Sequence, residues 1–255
     1  MSLPHQIPSS WEIHDFKEEV QDIINRFEQG QRSSSYTECN FTYTSSGSTG
    51  NPTTSVHDHK VIREIAENQV DPMGLNKESV YFSIFPPTTI GLPTLTVLPT
   101  YISGAKLVLK KFDPNTYWDD IKHYKPTHHF FLPEIYRTMS KKGLPDLSFM
   151  KWAGTGSNHP VPGMKQELYD AGLEKFAHCY GATECGPSVS FGDKEEYLSD
   201  FCPDFQWRIQ QGEWVIKWKS MSDWWVSGDM VEPMEYGVKI LRRKKEMQGE
   251  KRIIK

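Results

Sequence analysis

The sequence predicts an α/β protein, with a mostly parallel sheet flanked by helices and a smaller β-rich C-terminal subdomain. Three observations carry that expectation. Short apolar runs alternate with segments of helical periodicity along the middle of the chain. The connections between them are short, which calls for right-handed crossovers and parallel pairing. After residue 200 the chain turns to tryptophan-rich strand pairs joined by tight turns. The expected division is 1–200 for the α/β core, 201–247 for the β-rich subdomain and 248–255 for a basic tail.

Each element has a local reason. Residues 10–30 read as an amphipathic helix: Ser10 can cap it, Ile13, Phe16, Val20, Ile23, Ile24 and Phe27 recur at helical spacing, and Gly30 ends it. A second helical pattern covers Ser55 to Gln69, with Val56, Ile62 and Ile65 inward. Val80 to Phe85 is a buried-strand candidate. Leu95 to Ile102 reads as a helix stopped by Gly104 and kinked by Pro99. Lys106 to Leu109 is a strand, and Asp113-Pro114 opens a helix that turns Trp118 and Ile121 inward. Strands at Thr127–Leu132, Phe149–Ala153 and Phe176–Tyr180 enclose helices at Pro133–Met139 and Pro162–Gly172. Beyond these, Trp207–Gln210 and Trp214–Trp218 flank Gln211-Gly212 as a hairpin. Trp224–Val226 and Val238–Leu241 are further strands, and the basic end reads as a solvated helix or a frayed terminus.

Composition excludes several classes. The chain has 255 residues, 37% hydrophobic and 13% aromatic, enough to bury a sizeable core. A formal net charge of -4 argues against a general nucleic-acid binder. No apolar run is long enough to span a bilayer, and Met1 to His5 lacks the basic and apolar regions of a signal peptide. Cys39, Cys179, Cys185 and Cys202 form no Cys-x-x-Cys pair and read as reduced thiols of a cytoplasmic protein.

Four segments carry chemistry. Ser45, Ser46, Gly47, Ser48, Thr49 and Gly50 follow the strand-like Phe41-Thr42-Tyr43. Glycines let backbone N–H groups converge on an anion, and hydroxyls add donors. The run lacks the Gly-Lys-Ser/Thr of a Walker A loop, and a flexible Ser/Gly linker is the competing reading. Tyr180, Gly181, Ala182, Thr183 and Glu184 follow a predicted strand, where ligands of open α/β sheets bind. This loop offers an aromatic face, a hydroxyl and a carboxylate, which suit a purine, a phosphate oxygen and a hydrated Mg²⁺. Ser227-Gly228-Asp229 ends a strand, and its carboxylate can accept from a ribose diol. Arg242, Arg243, Lys244 and Lys245 gather cations before Glu246. His57-Asp58-His59 reads as structural or pocket-lining rather than as a metal site, because side chains two apart on a helix diverge.

The order of these segments resembles the AMP-binding, adenylate-forming superfamily of acyl-CoA synthetases, nonribosomal peptide synthetase adenylation domains and luciferases. The likeness extends to Phe112-Asp113-Pro114, to Ile121 through His128, and to Gly154-Thr155-Gly156-Ser157, which resembles the loop that lies against adenine. The resemblance implies a phosphate loop at residues 45–50, Tyr180 on adenine, Thr183 at the α-phosphate and Glu184 on Mg²⁺. It also implies Asp229 and Arg243 at the ribose and Glu246 at the hinge to a small C-terminal domain.

The implied reaction uses ATP and Mg²⁺ to convert a small carboxylic acid to its acyl-adenylate, with Thr183 and Glu184 as the catalytic pair. CoA, a carrier protein or a separate C-terminal domain are the partners it leaves open. Three departures stand out. Thr53 replaces the lysine usual after the loop's proline. The position that gates the acyl pocket falls at Thr88 and Thr89, which with His59 are the substrate-pocket candidates. The family's C-terminal lysine domain is expected to be missing, and Lys251 and Lys255 lie too near the hinge to replace its lysine. Two other readings therefore stand beside the ligase: a nucleotide-binding protein without turnover, and one part of a split enzyme.

Overall fold

The computed structural model describes residues 6–30, 40–44, 54–156, 161–194 and 196–243, with the backbone alone of 252–254. A six-stranded parallel sheet forms its centre. The strands are β1 (Glu12–Ile13), β4 (Val80–Ser83), β5 (Lys106–Leu109), β6 (His128–Phe131), β7 (Trp152–Thr155) and β8 (Phe176–His178). Their spatial order is β1-β5-β4-β6-β7-β8. Alternate residues of one strand enter different cores: Tyr81, Leu107 and Phe130 pack with one apolar cluster, and Phe82, Val108 and Phe131 with a second. The first is filled by α1 (Lys17–Gly30), α2 (His59–Met73) and α3 (Leu98–Ser103). The second is filled by α4 (Tyr117–Tyr124), α5 (Pro133–Met139) and α6 (Met164–Asp170). A sheet buried on both faces explains the continuous apolar strands in the sequence.

Two smaller sheets complete the molecule. β2 (Phe41–Thr44) pairs antiparallel with β3 (Thr54–His57), and β13 (Arg252–Ile254) runs parallel to β3 on its other edge. β9 (Phe205–Gln210), β10 (Glu213–Trp218), β11 (Trp225–Met234) and β12 (Gly237–Arg243) form an antiparallel sheet. Trp214, Ile216 and Trp218 of β10 belong to the same apolar cluster as Ile62 and Ile65 of α2. The small sheet is therefore seated on the α/β unit through shared core.

Several elements differ from expectation, each for a physical reason. Residues 54–57 are a strand, and α2 starts only at His59, because Asp58 caps it by accepting from the Lys60 N–H at 2.8 Å. The helix expected from residue 10 begins at Lys17, since Glu12 and Ile13 pair with Val108 and Leu109 of β5. The helix expected over 95–102 is not regular α-helix around Pro99. The chain makes a π-helical stretch at Leu92–Val97 that runs directly into α3, with Pro99 in the first turn after the change of pitch. The basic end is not helical where described: Arg242 and Arg243 extend β12, and Arg252–Ile254 form β13.

Candidate functional site

The carboxyl ends of β7 and β8 bring two of the sequence motifs side by side. The Cys179 N–H donates to the Thr155 carbonyl at 2.7 Å. A Cβ on Gly156 would run into the Cys179 carbonyl, so only glycine permits this approach. Gly154 is small for a different reason: a Cβ there would strike the rings of Trp152 and Phe130 in the core. The Thr155 hydroxyl donates to the Phe131 carbonyl at 2.8 Å and so serves the sheet.

The loop after β8 turns tightly on itself. The Ala182 N–H donates to the Gly186 carbonyl at 3.0 Å, and the Cys185 N–H to the Ala182 carbonyl at 3.1 Å. The Gly181 Cα lies against the Pro187 backbone and leaves no room for a side chain. The small sheet clamps the loop from one side, with the Trp218 indole donating to the Cys185 carbonyl at 2.6 Å. From the other side the His57 Nε2 donates to the Thr183 carbonyl at 2.6 Å. Glu184 is only 7% exposed, and among the described residues no cation lies within ion-pair distance of it.

Asp229 reaches this loop from β11 through a bulge. β11 passes from Val226 to Met230 while its partner β10 passes only from Val215 to Glu213. Ser227, Gly228 and Asp229 thus stand opposite the single residue Trp214, with Gly228 at φ 79° and the Asp229 N–H donating to the Ser227 hydroxyl at 3.0 Å. A bulge re-aims the side chain it carries. Here it puts the Asp229 carboxylate against the Tyr180 hydroxyl, which donates to it. Arg243, opposite Asp229 in the β11–β12 register, holds its Nε 3.9 Å from the other carboxylate oxygen. Asp229 is 5% exposed, and burial raises its pKa against the opposing pull of Tyr180 and Arg243. Burial, and then the neighbouring Asp229, raises the Tyr180 phenol well above its usual value.

The structure thus brings together Tyr180, Thr183, Glu184, Asp229 and Arg243, with Gly154, Thr155 and Gly156 beside them. The substrate-pocket candidates belong to other segments of the chain. Thr88 is exposed beyond β4, and the Thr89 hydroxyl donates to the Pro86 carbonyl at 3.0 Å. His59 is buried with its ring against Gly30 at the end of α1 and its Nδ1 3.3 Å from Asp58. Residues 45–50, Thr53, Ser157, Glu246, Lys251 and Lys255 lie outside the described residues. The sequence reading missed Trp214, whose ring centroid is 4.7 Å from that of Tyr180, and Trp218. Their signal was the alternation Trp214, Ile216, Trp218, which marks the inward face of β10.

A family model for AMP-binding enzymes matches residues 6–203. The chain belongs to the AMP-binding enzyme family. Among curated relatives, N-benzoylphenylalaninol synthetase of Penicillium brevicompactum is 26% identical over 189 residues, 71% of this chain and 7% of that protein. The 4-coumarate–CoA ligase 2 of Nicotiana tabacum is 28% identical over 156 residues, 57% of this chain and 29% of its own length. The O-succinylbenzoate coenzyme A synthetase of Bacillus subtilis, solved with ATP and a magnesium ion, superposes with a TM-score of 0.69 at 16% identity. That match covers 79% of this chain and 49% of the other, and it speaks for the fold alone. The chain spans well under two thirds of each of these three proteins. Among the described residues no helix is long and apolar enough to cross a membrane.

Proposed function

We propose that this chain binds ATP with Mg²⁺ and adenylates a small carboxylic acid. The observation that carries the reading is the meeting of Tyr180 and Asp229 at the carboxyl edge of the parallel sheet, with Arg243 beside them. Tyr180 would face the purine, Asp229 would accept from the ribose diol, and Arg243 would stand over the sugar. Thr183 would donate its hydroxyl to the α-phosphate. The motif of residues 45–50 would supply N–H and hydroxyl donors to the outer phosphates.

The donor set suits magnesium. Among the described residues, Glu184 is a buried carboxylate with no protein cation paired to it, and no group of three or more His, Cys, Asp or Glu could hold a metal ion. Mg²⁺ takes one or two carboxylates, with phosphates and waters filling its shell, and bound there it would neutralise charge on the phosphates. The chain's residues then act by positioning and charge stabilisation. A carboxylate oxygen attacks the α-phosphorus, a new P–O bond forms, the bond to the bridging α–β oxygen breaks, and pyrophosphate leaves.

Thr53, where the family resemblance implies a lysine, favours a second reading: nucleotide binding without turnover, or turnover only with a partner chain that brings a lysine. Transfer to CoA or to a carrier protein belongs to that wider question. The deciding experiment is isotope exchange between pyrophosphate and ATP across a panel of carboxylic acids. Acid-dependent exchange supports adenylation. ATP binding with no exchange under any acid moves the assignment to the second reading.

A further inference from the structure

His57 has no place in the motifs that define the site, yet it is fully buried and bonded to the site's central loop. It ends β3, the strand that follows the glycine- and serine-rich segment, and its ring reaches across 126 residues of sequence to Thr183. A carbonyl oxygen only accepts, so Nε2 carries the proton and Nδ1 is a bare acceptor. Nδ1 is buried and, among the described residues, has no hydrogen-bond partner. A buried polar atom left unpaired costs free energy and needs an explanation. A leucine would fill the same space without that cost. What the imidazole alone adds is the 2.6 Å bond to the Thr183 carbonyl.

The rest of the loop shows why that bond matters. Ala182 and Cys185 are held by bonds within the loop, and the Cys185 carbonyl is held by Trp218. The peptide between Thr183 and Glu184 sets where the Thr183 hydroxyl and the Glu184 carboxylate stand, and His57 is its anchor from β3. Burial lowers the His57 pKa to about 4, so the ring is neutral and the Nε2 tautomer is fixed near neutral pH.

We infer that His57 is a positioning residue: it ties the end of β3 to the Thr183–Glu184 peptide and so fixes where the Thr183 hydroxyl and the Glu184 carboxylate stand. The inference rests on the adenylation reading for its function and on the hydrogen bond for its geometry. Two substitutions separate the bond from the packing. His57→Gln keeps a donor at about the same reach, and His57→Leu removes it while filling the space.

Two readouts apply to the full chain. Amide exchange in the 181–186 loop, compared with β4 and β6, should quicken about tenfold in His57→Leu, matching the loss of one buried bond, and stay near wild type in His57→Gln. MgATP affinity should fall about tenfold in His57→Leu while AMP affinity falls less, and His57→Gln should recover most of the loss. Equal exchange in all three proteins, or a glutamine no better than leucine, overturns the assignment. Quickening spread evenly through β4 and β6 also overturns it, by reducing His57 to core packing. Wild-type protein that binds no MgATP would instead refute the adenylation reading, and the exchange pattern would still decide the His57 bond.

Discussion

At the scale of single residues, Asp229 and Glu184 are two buried carboxylates with different surroundings. Asp229 has a phenol and a guanidinium at hand, and among the described residues Glu184 has no protein cation paired to it. The difference fits one group that holds an uncharged diol and another that meets a metal. Asp229→Ala should weaken adenine-nucleotide binding by about 2–4 kcal/mol, roughly 30- to 1,000-fold, from two lost bonds to a charged acceptor. Titration against 2′-deoxy-ATP checks it, since losing one hydroxyl should cost less than losing the carboxylate. Glu184→Gln should keep the fold and weaken MgATP while leaving AMP nearly unchanged, because an amide is a poor Mg²⁺ ligand. A variant that binds MgATP like wild type would make Glu184 structural. Tyr180 and Glu184 stood out in the sequence because their loop follows a strand, whereas Asp229, expected at a strand end, lies within β11 at its bulge. The bond between Tyr180 and Asp229 was not legible there, because it spans 49 residues and depends on that bulge.

At the scale of elements, the bulge in β11 and the turn after β8 do the aiming. Gly228 sits at φ 79°, a conformation that a side chain adopts only at a cost of about 1–2 kcal/mol. Gly228→Ala should therefore lower stability by about that amount and, by moving the next residue, cut nucleotide affinity further than the stability loss alone accounts for. Melting curves with and without ATP separate the two effects. Affinity that stays at the wild-type value would show that the bulge does not aim Asp229. Local pattern revealed the Gln211-Gly212 hairpin turn, and both residues do have positive φ, 53° and 77°. It placed a helix over residues 55–57 because Val56 falls near the rhythm of Ile62 and Ile65. What makes that segment a strand is pairing with β2, a contact no local period can display.

At the scale of the whole molecule, parallel order followed from alternation alone, whereas the seating of the small sheet did not. Trp214 and Trp218 read as packing aromatics from the sequence, but that they share a core with α2 is visible only in the fold. The core also sets the pH response. Burial lowers the pKa values of His57, His128 and His129 to about 4 from an ordinary 6.5. Between those values the unfolded chain binds protons that the folded chain refuses, so stability falls as pH drops through that window. Each ring can remove up to about 3 kcal/mol by pH 4. The urea midpoint should fall clearly between pH 7 and pH 5; an unchanged midpoint would mean that the rings are not buried neutral in solution.

The central claim is that the Tyr180 loop, Asp229 and Arg243 form one adenine-nucleotide site. Calorimetric titration of the full chain with ATP, AMP and GTP in the presence of Mg²⁺ tests it most directly. The account predicts binding of ATP and AMP, a clear preference over GTP, and loss of that binding in Asp229→Ala. Equal affinity for GTP, or adenine-nucleotide affinity that survives the loss of Asp229, would contradict it.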